Sequence, residues 1–445
     1  MRDRRGAWCV VGAGPHGLSA LKALRQHGID VDGVERSSDL GGNWNFGAET
    51  SRVYRSTHLI SSKPFTQFPD FPMPDSFPDY PSHWQVKEYF DSYADHFGLR
   101  ELIAFDTEVV HLAELDDGGW AVTTRDRLTA AETTSHYDGV VVANGHNWNP
   151  KVPDYPGMDG FRGEIIHSAD YKGADVLRER RVLVVGAGNT GCDVAVESAQ
   201  NAVHTWHSTR RGYYYNPKYA MGRPSDQTAD LLLALRLPLA VRRAMFKATL
   251  RLTVGDVTAF GLKKPDHKFF ETHPIVNQQL VYYVGHGEIT PVDDIARFEP
   301  DAVVFADGRR SEVDLVVLCT GYLVTFPFLD DAPTTLHYQG DHPVLGLQMF
   351  TPASPTLVVS GLLQPDSGQW TLAHWQGMVL ARYAELLRDR PAEAARFHAA
   401  VGAEAERRFS AGTAYKDSTR HYYEVAHQDY LAALEAALHE LEGAR

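Results

Sequence analysis

Two glycine-rich motifs of the form G-x-G-x-x-G lie in this chain of 445 residues, and each follows a run of apolar residues. The first glycine makes a tight turn, the second lets the backbone approach a pyrophosphate, and the third lets the helix pack closely on the strand. Two such motifs predict that one polypeptide holds two dinucleotides and moves electrons between them. We assign Gly12, Gly14, Pro15, His16 and Gly17 to the first motif, and Gly186, Gly188, Asn189, Thr190 and Gly191 to the second.

The residues that end the next strand differ between the two motifs. After the first motif that strand leads to Glu35 and Arg36, and an acidic residue here accepts hydrogen bonds from a ribose hydroxyl. After the second motif, hydroxyls and two arginines replace the acid, and a guanidinium binds a 2′-phosphate that a carboxylate would repel. We therefore predict FAD at the first motif and NADPH at the second, although the two arginines could instead form a solvated charge pair. The predicted NADPH-binding residues here are Ser208, Thr209, Arg210 and Arg211.

Composition and cysteine spacing narrow the classes of protein to which this chain could belong. A formal charge of −14 argues against general nucleic-acid binding, which needs a basic surface. The three cysteines form no closely spaced pair, so the disulfide relay of the flavin disulfide reductases is excluded. The histidines show no metal-ligand spacing, and we predict no metal. Neither a signal peptide nor a membrane-spanning stretch is recognisable, so we expect a cytoplasmic protein that does not bind membranes.

The order of the predicted elements indicates an α/β fold with two Rossmann-like dinucleotide-binding domains, the second inserted into the first. We predict the N-terminal part of the FAD-binding domain at residues 1–168 and its C-terminal part at 323–445. The NADPH-binding domain is predicted at 169–322, with a helical cap over a pocket at about 213–275. Later strands of the first part are predicted at about 103–113, 119–125 and 137–143.

Between the two glycine motifs lies a segment that resembles F-x-G-x-x-x-H-x-x-x-Y, the signature of the flavin-containing monooxygenases. Its matching residues are Phe161, Gly163, His167 and Tyr171. Thr320 and Gly321, within Cys319–Tyr322, are similar to the A-T-G-Y motif of that family. The segment that contains Gly42, Asn43 and Trp44 also resembles the family and is expected to bind FAD. The resemblance covers nearly the whole chain.

This resemblance implies a class B flavin monooxygenase. Such an enzyme passes hydride from NADPH to FAD, forms a C4a-(hydro)peroxyflavin with O2 and transfers one oxygen atom to a small molecule. The Baeyer–Villiger branch usually carries Trp where this chain has Tyr171, so we expect oxygenation of a soft nitrogen or sulfur nucleophile. Baeyer–Villiger oxidation of a ketone, an NADPH oxidase that releases hydrogen peroxide, and a flavin-binding sensor without turnover stay open. A homodimer, common in the family, stays open too.

One position departs from the family's pattern. Many members carry an Asn beside the flavin and nicotinamide, and ungapped counting places Ile60 there. Because isoleucine cannot donate a hydrogen bond, Ser61 or Ser62 could take over this role. The resemblance places Gln364 near the isoalloxazine ring, as a catalytic and cofactor-binding residue. We expect His167 to couple the two domains rather than to transfer protons.

Overall fold

Two parallel β-sheets of five strands each form the frame of the molecule. The computed structural model describes residues 2–220, 222–234, 238–416 and 421–443. Each sheet contains the strand that precedes one of the glycine motifs. These two strands are continuous apolar runs, as expected for parallel sheets whose faces are both covered. The predicted α/β class with two Rossmann-like domains is confirmed.

The first sheet is built around the strand before the first glycine motif. This strand pairs in parallel with a neighbour on each side. One edge strand comes from the C-terminal part of the chain, so the chain leaves this sheet and returns to it after the second sheet is complete. In spatial order the strands are Leu357–Val359, Gly139–Val142, Ala7–Val11, Asp30–Val34 and Ile103–Ala104.

Helices and a second, mainly antiparallel sheet complete the first domain. The helix Pro15–Gln26 packs against the long helix Trp370–Asp389, where the Ser19 hydroxyl donates to the carbonyl of Ala373 at 2.8 Å. A Cβ at Gly377 would lie 2.8 Å from that hydroxyl oxygen, so the close packing requires glycine there. The other helices are His83–His96, Pro391–Ala403 and His427–Gly443. The additional sheet contains, in spatial order, Arg2–Asp3, Glu132–Tyr137, Trp120–Asp126 and Thr107–Glu114.

The second sheet begins earlier in the chain than we predict. The strand Glu164–His167 pairs in parallel with Leu315–Leu318, although it precedes the predicted boundary at residue 168. The sheet therefore takes up part of the signature segment itself. In spatial order its strands are Glu164–His167, Leu315–Leu318, Arg181–Val185, His204–Ser208 and Ile289–Val292. The helices Asn189–Asn201 and Gln279–Gly285 and the antiparallel strands Ile295–Glu299, Ala302–Phe305 and Arg310–Glu312 belong to the same domain.

Two helices lie in the segment that we predict as a cap. They span Ser225–Ala234 and Leu239–Thr253. Residues 221 and 235–237 of the predicted cap lie outside the described residues. Among the helices that the structure describes, none is long and apolar enough to cross a membrane.

Short elements connect these units. The helical turns are Lys63–Thr66 and Ala332–Thr335, and the 3-10 helices are Gly42–Trp44, Arg100–Leu102, Met158–Gly160, Ala174–Leu177 and Val257–Phe260. The two-residue strands are Asn149–Pro150, Tyr215–Asn216, Tyr219–Ala220, Arg223–Pro224, Ile275–Val276, Tyr322–Leu323, Tyr338–Gln339, His342–Pro343, Gln364–Pro365 and Glu424–Val425.

Candidate functional site

The first glycine motif forms a turn that no larger residue could form. Gly12 has φ +104°, and a Cβ there would lie 2.6 Å from the carbonyl oxygen of Ala143. A Cβ at Gly17 would lie 1.9 Å from the carbonyl oxygen of Gly12. Gly14 precedes the helix in extended conformation, and Pro15 is its first residue, where the missing N–H costs nothing. The start of the helix is thus brought to the carboxyl end of the sheet, where its free N–H groups can bind an anion.

A cleft opens at this end of the first sheet, and most residues that we predict for FAD line it. We call it the first-motif cleft. The predicted residues on its wall are Gly12, Gly14, Pro15, His16, Glu35, Arg36, Gly42, Asn43 and Trp44. Gly17 lies behind them and acts through the packing of the helix. Residues that we do not predict also line the cleft, among them Thr107–Val109, Asn144–Trp148, Ser360, Gly361 and Gln369.

The Glu35 carboxylate is fixed by the backbone on both of its oxygens. Its Oε2 accepts the N–H of Ala13 at 2.8 Å, and its Oε1 accepts the N–H of Ser37 at 2.8 Å. The side chain is buried, yet it lines the cleft. Because each carboxylate oxygen can accept a second hydrogen bond, Glu35 can still bind the two hydroxyls of a ribose.

His16 offers a further sign that a ligand belongs in this cleft. The ring is buried against Gly361, where a Cβ would lie 2.7 Å from Cγ of the ring. Its Nδ1 lies 3.3 Å from the Ser360 hydroxyl, and its Nε2 has no hydrogen-bond partner among the described residues. Burial, and the nearby His146, lower the pKa of His16 to about 3, so the ring is neutral. A buried ring nitrogen without a partner at the wall of an open cleft fits a dinucleotide that supplies the partner.

The second glycine motif repeats the geometry of the first. Gly186 has φ +114°, and a Cβ there would lie 2.3 Å from the carbonyl oxygen of Cys319. A Cβ at Gly191 would lie 2.0 Å from the carbonyl oxygen of Gly186. Gly188 precedes the helix in extended conformation, and Asn189 and Thr190 begin it. The Asn189 carboxamide oxygen accepts the N–H of Val276 at 2.8 Å, which ties the start of the helix to the segment after the predicted cap.

The two glycine motifs differ at the residue that follows the second strand of each domain. Gly12 donates its N–H to Val34, and Gly186 donates its N–H to Ser208, so Thr209 stands where the first domain has Glu35. The Ser208 hydroxyl donates to the carbonyl of Asp293 at 2.8 Å, and Thr209 is buried. No carboxylate therefore occupies the position that Glu35 holds in the first domain.

Basic side chains surround this position. Arg210 is exposed, and the Arg211 guanidinium lies over the Tyr213 ring at 5.6 Å. Sequence reasoning misses Lys263, whose ammonium donates to the carbonyl of Thr209 at 2.6 Å and pairs with Asp293. Its backbone, together with that of Lys264, packs against Gly212. No spacing rule connects Lys263 to the arginines, because about fifty residues of the predicted cap lie between them and Lys263 itself belongs to the cap.

The signature residues hold the second domain together and to its neighbour. The Nε2–H of His167 donates to the carbonyl of Gly321 at 3.1 Å, and its Nδ1 accepts the N–H of Ala169 at 3.0 Å. Burial lowers the pKa of His167, so both ring nitrogens keep these roles. The hydroxyl of Thr320 donates to the carbonyl of Lys151 at 2.5 Å. His167 thus connects the signature segment to the turn that resembles A-T-G-Y.

The other two ends of the signature make packing contacts. Phe161 packs edge-on against Phe298 at 5.3 Å, and Gly163 leaves room for the Phe161 ring. Tyr171 packs against Tyr54 from the first domain at 5.6 Å and donates to the Glu197 carboxylate. The four signature residues therefore lie in structural contacts rather than on the wall of the first-motif cleft.

The serines that we consider as substitutes for the family's Asn lie beside the predicted cap. The backbone N–H of Ser62 donates to the Asp226 carboxylate at 2.5 Å, and Gln227 donates to the Ser62 hydroxyl at 3.4 Å. Ser61 contributes its carbonyl to the hydroxyl of Thr66. The structure therefore brings Ser62 together with the cap helix.

Gln364 lies in a two-residue strand that pairs with Glu424–Val425. It is not among the residues that line the first-motif cleft, whereas Gln369, five positions later, is.

Cys9, Cys192 and Cys319 are free and buried. In the part of the chain that the structure describes, no group of His, Cys, Asp and Glu side chains is placed to hold a metal ion.

Comparisons with known proteins agree with this geometry. The family model described as flavin-binding monooxygenase-like matches residues 6–441. Flavin-containing monooxygenase 5 of Cavia porcellus is 31% identical over 443 residues, which cover 96% of this chain and 81% of the relative. Flavin-containing monooxygenase 5 of Homo sapiens is 32% identical over 409 residues, which cover 86% of this chain and 74% of the relative.

Solved structures share the fold at lower identity. The S-allyl-L-cysteine S-oxygenase from Allium sativum superposes with a TM-score of 0.68 at 20% identity, covering 98% of this chain and 89% of that one. A cyclohexanone monooxygenase with bound epsilon-caprolactone gives a TM-score of 0.73 at 19% identity, covering 99% of both chains. Because proteins with these different substrates share the fold, the fold alone does not select a substrate.

Proposed function

The chain belongs to the flavin-binding monooxygenase-like family, and on this premise we propose that it transfers one oxygen atom from O2 to a nitrogen or sulfur atom of a small molecule. It is an enzyme, an NADPH-dependent flavin monooxygenase with FAD and NADPH as its cofactors. When bound, the reduced flavin supplies the reaction with O2. The protein contributes binding, orientation and the exclusion of water.

The observation that carries the proposal is that the two glycine turns share their contacts, whereas the residues after the second strand of each domain differ. In the first-motif cleft, Glu35 is held by two backbone N–H groups and offers its remaining lone pairs to a ribose. The neutral His16 adds a ring nitrogen that has no hydrogen-bond partner in the part of the chain that the structure describes. We assign FAD to this cleft because a carboxylate at this position fits the unphosphorylated ribose of FAD.

We assign NADPH to the second motif. Thr209 takes the place of the acid, and Arg210 and Arg211 follow it. Lys263 adds a third cation next to the Thr209 carbonyl. A 2′-phosphate carries two negative charges or nearly so, and these side chains can neutralise it with charge-assisted hydrogen bonds.

Oxygen transfer to nitrogen or sulfur, rather than to a ketone, is supported by the signature residue Tyr171. Its ring packs on Tyr54 and its hydroxyl donates to Glu197, and the second of these contacts depends on the tyrosine hydroxyl. The resemblance described above assigns Trp to this position in the Baeyer–Villiger branch.

Ser62 is the better of the two serines to replace the family's Asn. Its hydroxyl accepts a hydrogen bond from the Gln227 carboxamide of the cap helix and has a proton of its own to donate, whereas the Ile60 side chain has none. We propose that Ser62 positions the reacting region together with the cap.

The test is single turnover with isotopic oxygen. The holoenzyme is reduced by NADPH without oxygen and then mixed with 18O2 and either thioanisole, N,N-dimethylaniline or cyclohexanone. We expect the sulfoxide or the N-oxide, each with one 18O atom, and one water per NADPH. A lactone from cyclohexanone would show Baeyer–Villiger chemistry instead. Hydrogen peroxide equal to the NADPH consumed, with no oxygenated product, would show an oxidase.

A further inference from the structure

The helix that follows the second glycine motif carries a half-buried carboxylate that contacts the first domain. Asp193 lies two positions after Gly191, about one turn from the start of the helix Asn189–Asn201. Its Oδ2 accepts a hydrogen bond from the hydroxyl of Tyr54, a residue of the first domain, at 2.7 Å. Burial of Tyr54 and the nearby Asp193 charge raise the pKa of that hydroxyl, so it keeps its proton and is the donor. This hydrogen bond joins the two domains close to the second glycine turn.

The other oxygen of the Asp193 carboxylate is held from within the second domain. Its Oδ1 accepts a hydrogen bond from the carboxamide N–H of Asn277 at 2.6 Å. Asn277 is buried, and its own carboxamide oxygen accepts the backbone N–H of Leu280 at 2.9 Å, at the start of the helix Gln279–Gly285. Both ends of the Asn277 carboxamide are therefore in use, and the group cannot rotate freely. Because one oxygen of Asp193 is fixed by its own domain, the direction of the bond to Tyr54 is fixed as well.

The same position of the first motif makes a contact of another kind. Ser19 also follows the third glycine of its motif by two residues, and its hydroxyl donates to the carbonyl of Ala373 within the first domain. Each motif helix thus uses this position to dock on a neighbouring element, but the helix of the second motif docks on the other domain. A carboxylate suits this task, since it accepts hydrogen bonds from two directions at once.

Tyr54 belongs to a segment of the first domain, residues 51–62, that the second domain contacts at further points. The ammonium group of Lys172, which directly follows the signature, donates to the carbonyl of Ser51 at 2.8 Å. The ammonium group of Lys218, in the predicted cap, donates to the carbonyl of Leu59 at 3.0 Å. The resemblance described above places the end of this segment beside the flavin and the nicotinamide. Contacts between this segment and the second motif helix therefore lie where the two cofactors have to meet.

We propose that Asp193 is a positioning residue that, through Tyr54, holds the second motif in the orientation that brings the nicotinamide of NADPH to the flavin. The step that depends on it transfers a hydride, which is two electrons and one proton, from NADPH to FAD, and yields NADP+ and FADH−. Such a step is sensitive to orientation, because a misplacement of about 1 Å can cost about 100-fold in rate. This inference rests on the proposed function, since it takes FAD at the first motif and NADPH at the second. Asp193 acts through Tyr54 and takes no part in the transfer itself.

The first measurement is the anaerobic reduction of the holoenzyme by NADPH in a stopped-flow instrument. Tyr54→Phe removes the hydroxyl but keeps the ring that packs on Tyr171, and Asp193→Ala removes the carboxylate. In both variants we expect the rate at saturating NADPH to fall about tenfold, while the dissociation constant of NADPH changes by less than about twofold. Asp193→Asn should stay within about threefold of the wild type, because its carboxamide can accept the N–H of Asn277 and donate to the Tyr54 oxygen.

The second measurement reports the position of the nicotinamide without turnover. NADP+ is titrated into the oxidised holoenzyme, and the change in the visible absorbance of the flavin gives a dissociation constant and an amplitude. A nicotinamide in contact with the flavin perturbs its absorbance, whereas one that is bound but displaced does not. Tyr54→Phe and Asp193→Ala should bind NADP+ within about twofold of the wild type and lose most of the amplitude. A merely stabilising role would lower the resistance to urea and leave the amplitude unchanged.

Tyr283→Phe is the matched control. The Tyr283 hydroxyl accepts a hydrogen bond from Gln200 of the same motif helix at 2.8 Å, but both residues belong to the second domain. This variant should change neither the rate nor the amplitude. A rate and an amplitude close to wild type in Tyr54→Phe and Asp193→Ala would overturn the inference, and so would a slower reduction that weaker binding of NADPH fully explains. If NADPH does not reduce the wild-type flavin, the proposed function fails and the inference with it, whereas equally fast reduction of wild type and variants removes the inference alone.

Discussion

The two glycine motifs form the same turn and lead to different binding sites. In each, the first glycine has a positive φ and packs against a carbonyl of the neighbouring strand end, and the third packs against the first. In each, the N–H of the first glycine donates to the last residue of the next strand, which is Val34 in one domain and Ser208 in the other. The backbone that approaches the pyrophosphate is therefore common to both domains.

The difference begins one residue later. Glu35 is followed by Arg36, which pairs with Glu49 at 2.9 Å, so the cation there is already neutralised. Thr209 is followed by Arg210, which forms no ion pair among the described residues, whereas the nearby Lys263 pairs with Asp293. On the proposed assignment, the glycines allow a dinucleotide to bind, and the residues after the second strand select which one. Substitutions of the glycines and substitutions of the residues after the second strand should therefore have separable effects.

The largest effect is expected from the third glycine of each motif. Gly17→Ala and Gly191→Ala place a Cβ 1.9 Å and 2.0 Å from a carbonyl oxygen, so the steric conflict is nearly equal. Each should destabilise its domain by about 3 kcal/mol or more, since the helix must move away from the turn. We expect Gly17→Ala to lose FAD, measured as the ratio of flavin to protein absorbance. Gly191→Ala should keep FAD, while its anaerobic reduction by NADPH slows about 100-fold.

Gly160→Ala serves as the control, because a Cβ there meets no atom within 4 Å and its φ is not positive. It should leave both FAD content and reduction unchanged. Loss of FAD from Gly191→Ala, or normal reduction of that variant by NADPH, would show that the two motifs do not serve separate cofactors.

A smaller effect is expected from the arginines of the second domain. The double variant Arg210→Ala, Arg211→Ala removes two cations from the predicted 2′-phosphate site and should raise KM for NADPH by about 10- to 100-fold. KM for NADH should change by less than about threefold, because NADH carries no 2′-phosphate. Steady-state kinetics with both cofactors measures the ratio. Arg178→Ala, at an exposed position of the same domain, is the control. An equal change for NADH and NADPH would mean that the arginines are a solvated charge pair.

Much of this fold is visible in the sequence because each central strand is a local apolar run next to a local turn signal. The helices after the two motifs and the strands at 139–142 and 315–318 follow from such patterns. The strand Glu132–Tyr137 is missed, since its side chains are mostly polar and half-exposed. Our predicted strand at 137–143 joins the last residue of Glu132–Tyr137 to the following strand, Gly139–Val142, although these two strands belong to different sheets. Which sheet a strand joins depends on contacts far away in the chain.

The residues of the candidate site also fall into two groups, those that a local sequence pattern predicts and those that it does not. The glycines, Glu35 and the arginines are predictable because their function depends on a short, fixed spacing from a strand. His146, Ser360, Gly361 and Lys263 carry no such spacing. His146, Ser360 and Gly361 reach the first-motif cleft because they follow parallel strands, whose carboxyl ends meet at the same edge of a sheet whatever their separation in the chain. Lys263 comes instead from the loop after the 3-10 helix Val257–Phe260.

The smallest effect concerns His207, which has Gly33 as its counterpart in the first domain. The Nε2–H of His207 donates to the carbonyl of Gly186 at 2.8 Å, and burial lowers its pKa. Because the folded protein holds this histidine neutral below its unfolded pKa of about 6.5, the unfolded chain binds the extra proton, and stability falls as pH decreases. His207→Leu should cost about 1 kcal/mol at pH 7.5 through the lost hydrogen bond. The variant cannot take up this proton when it unfolds, so it loses less stability than the wild type as the pH decreases. The difference in the free energy of unfolding between the two proteins should therefore be smaller at pH 5.5 than at pH 7.5. Urea unfolding at both pH values measures this, with exposed His439→Leu as the control. A deficit that stays constant with pH would mean that His207 titrates alike in the folded and unfolded chain.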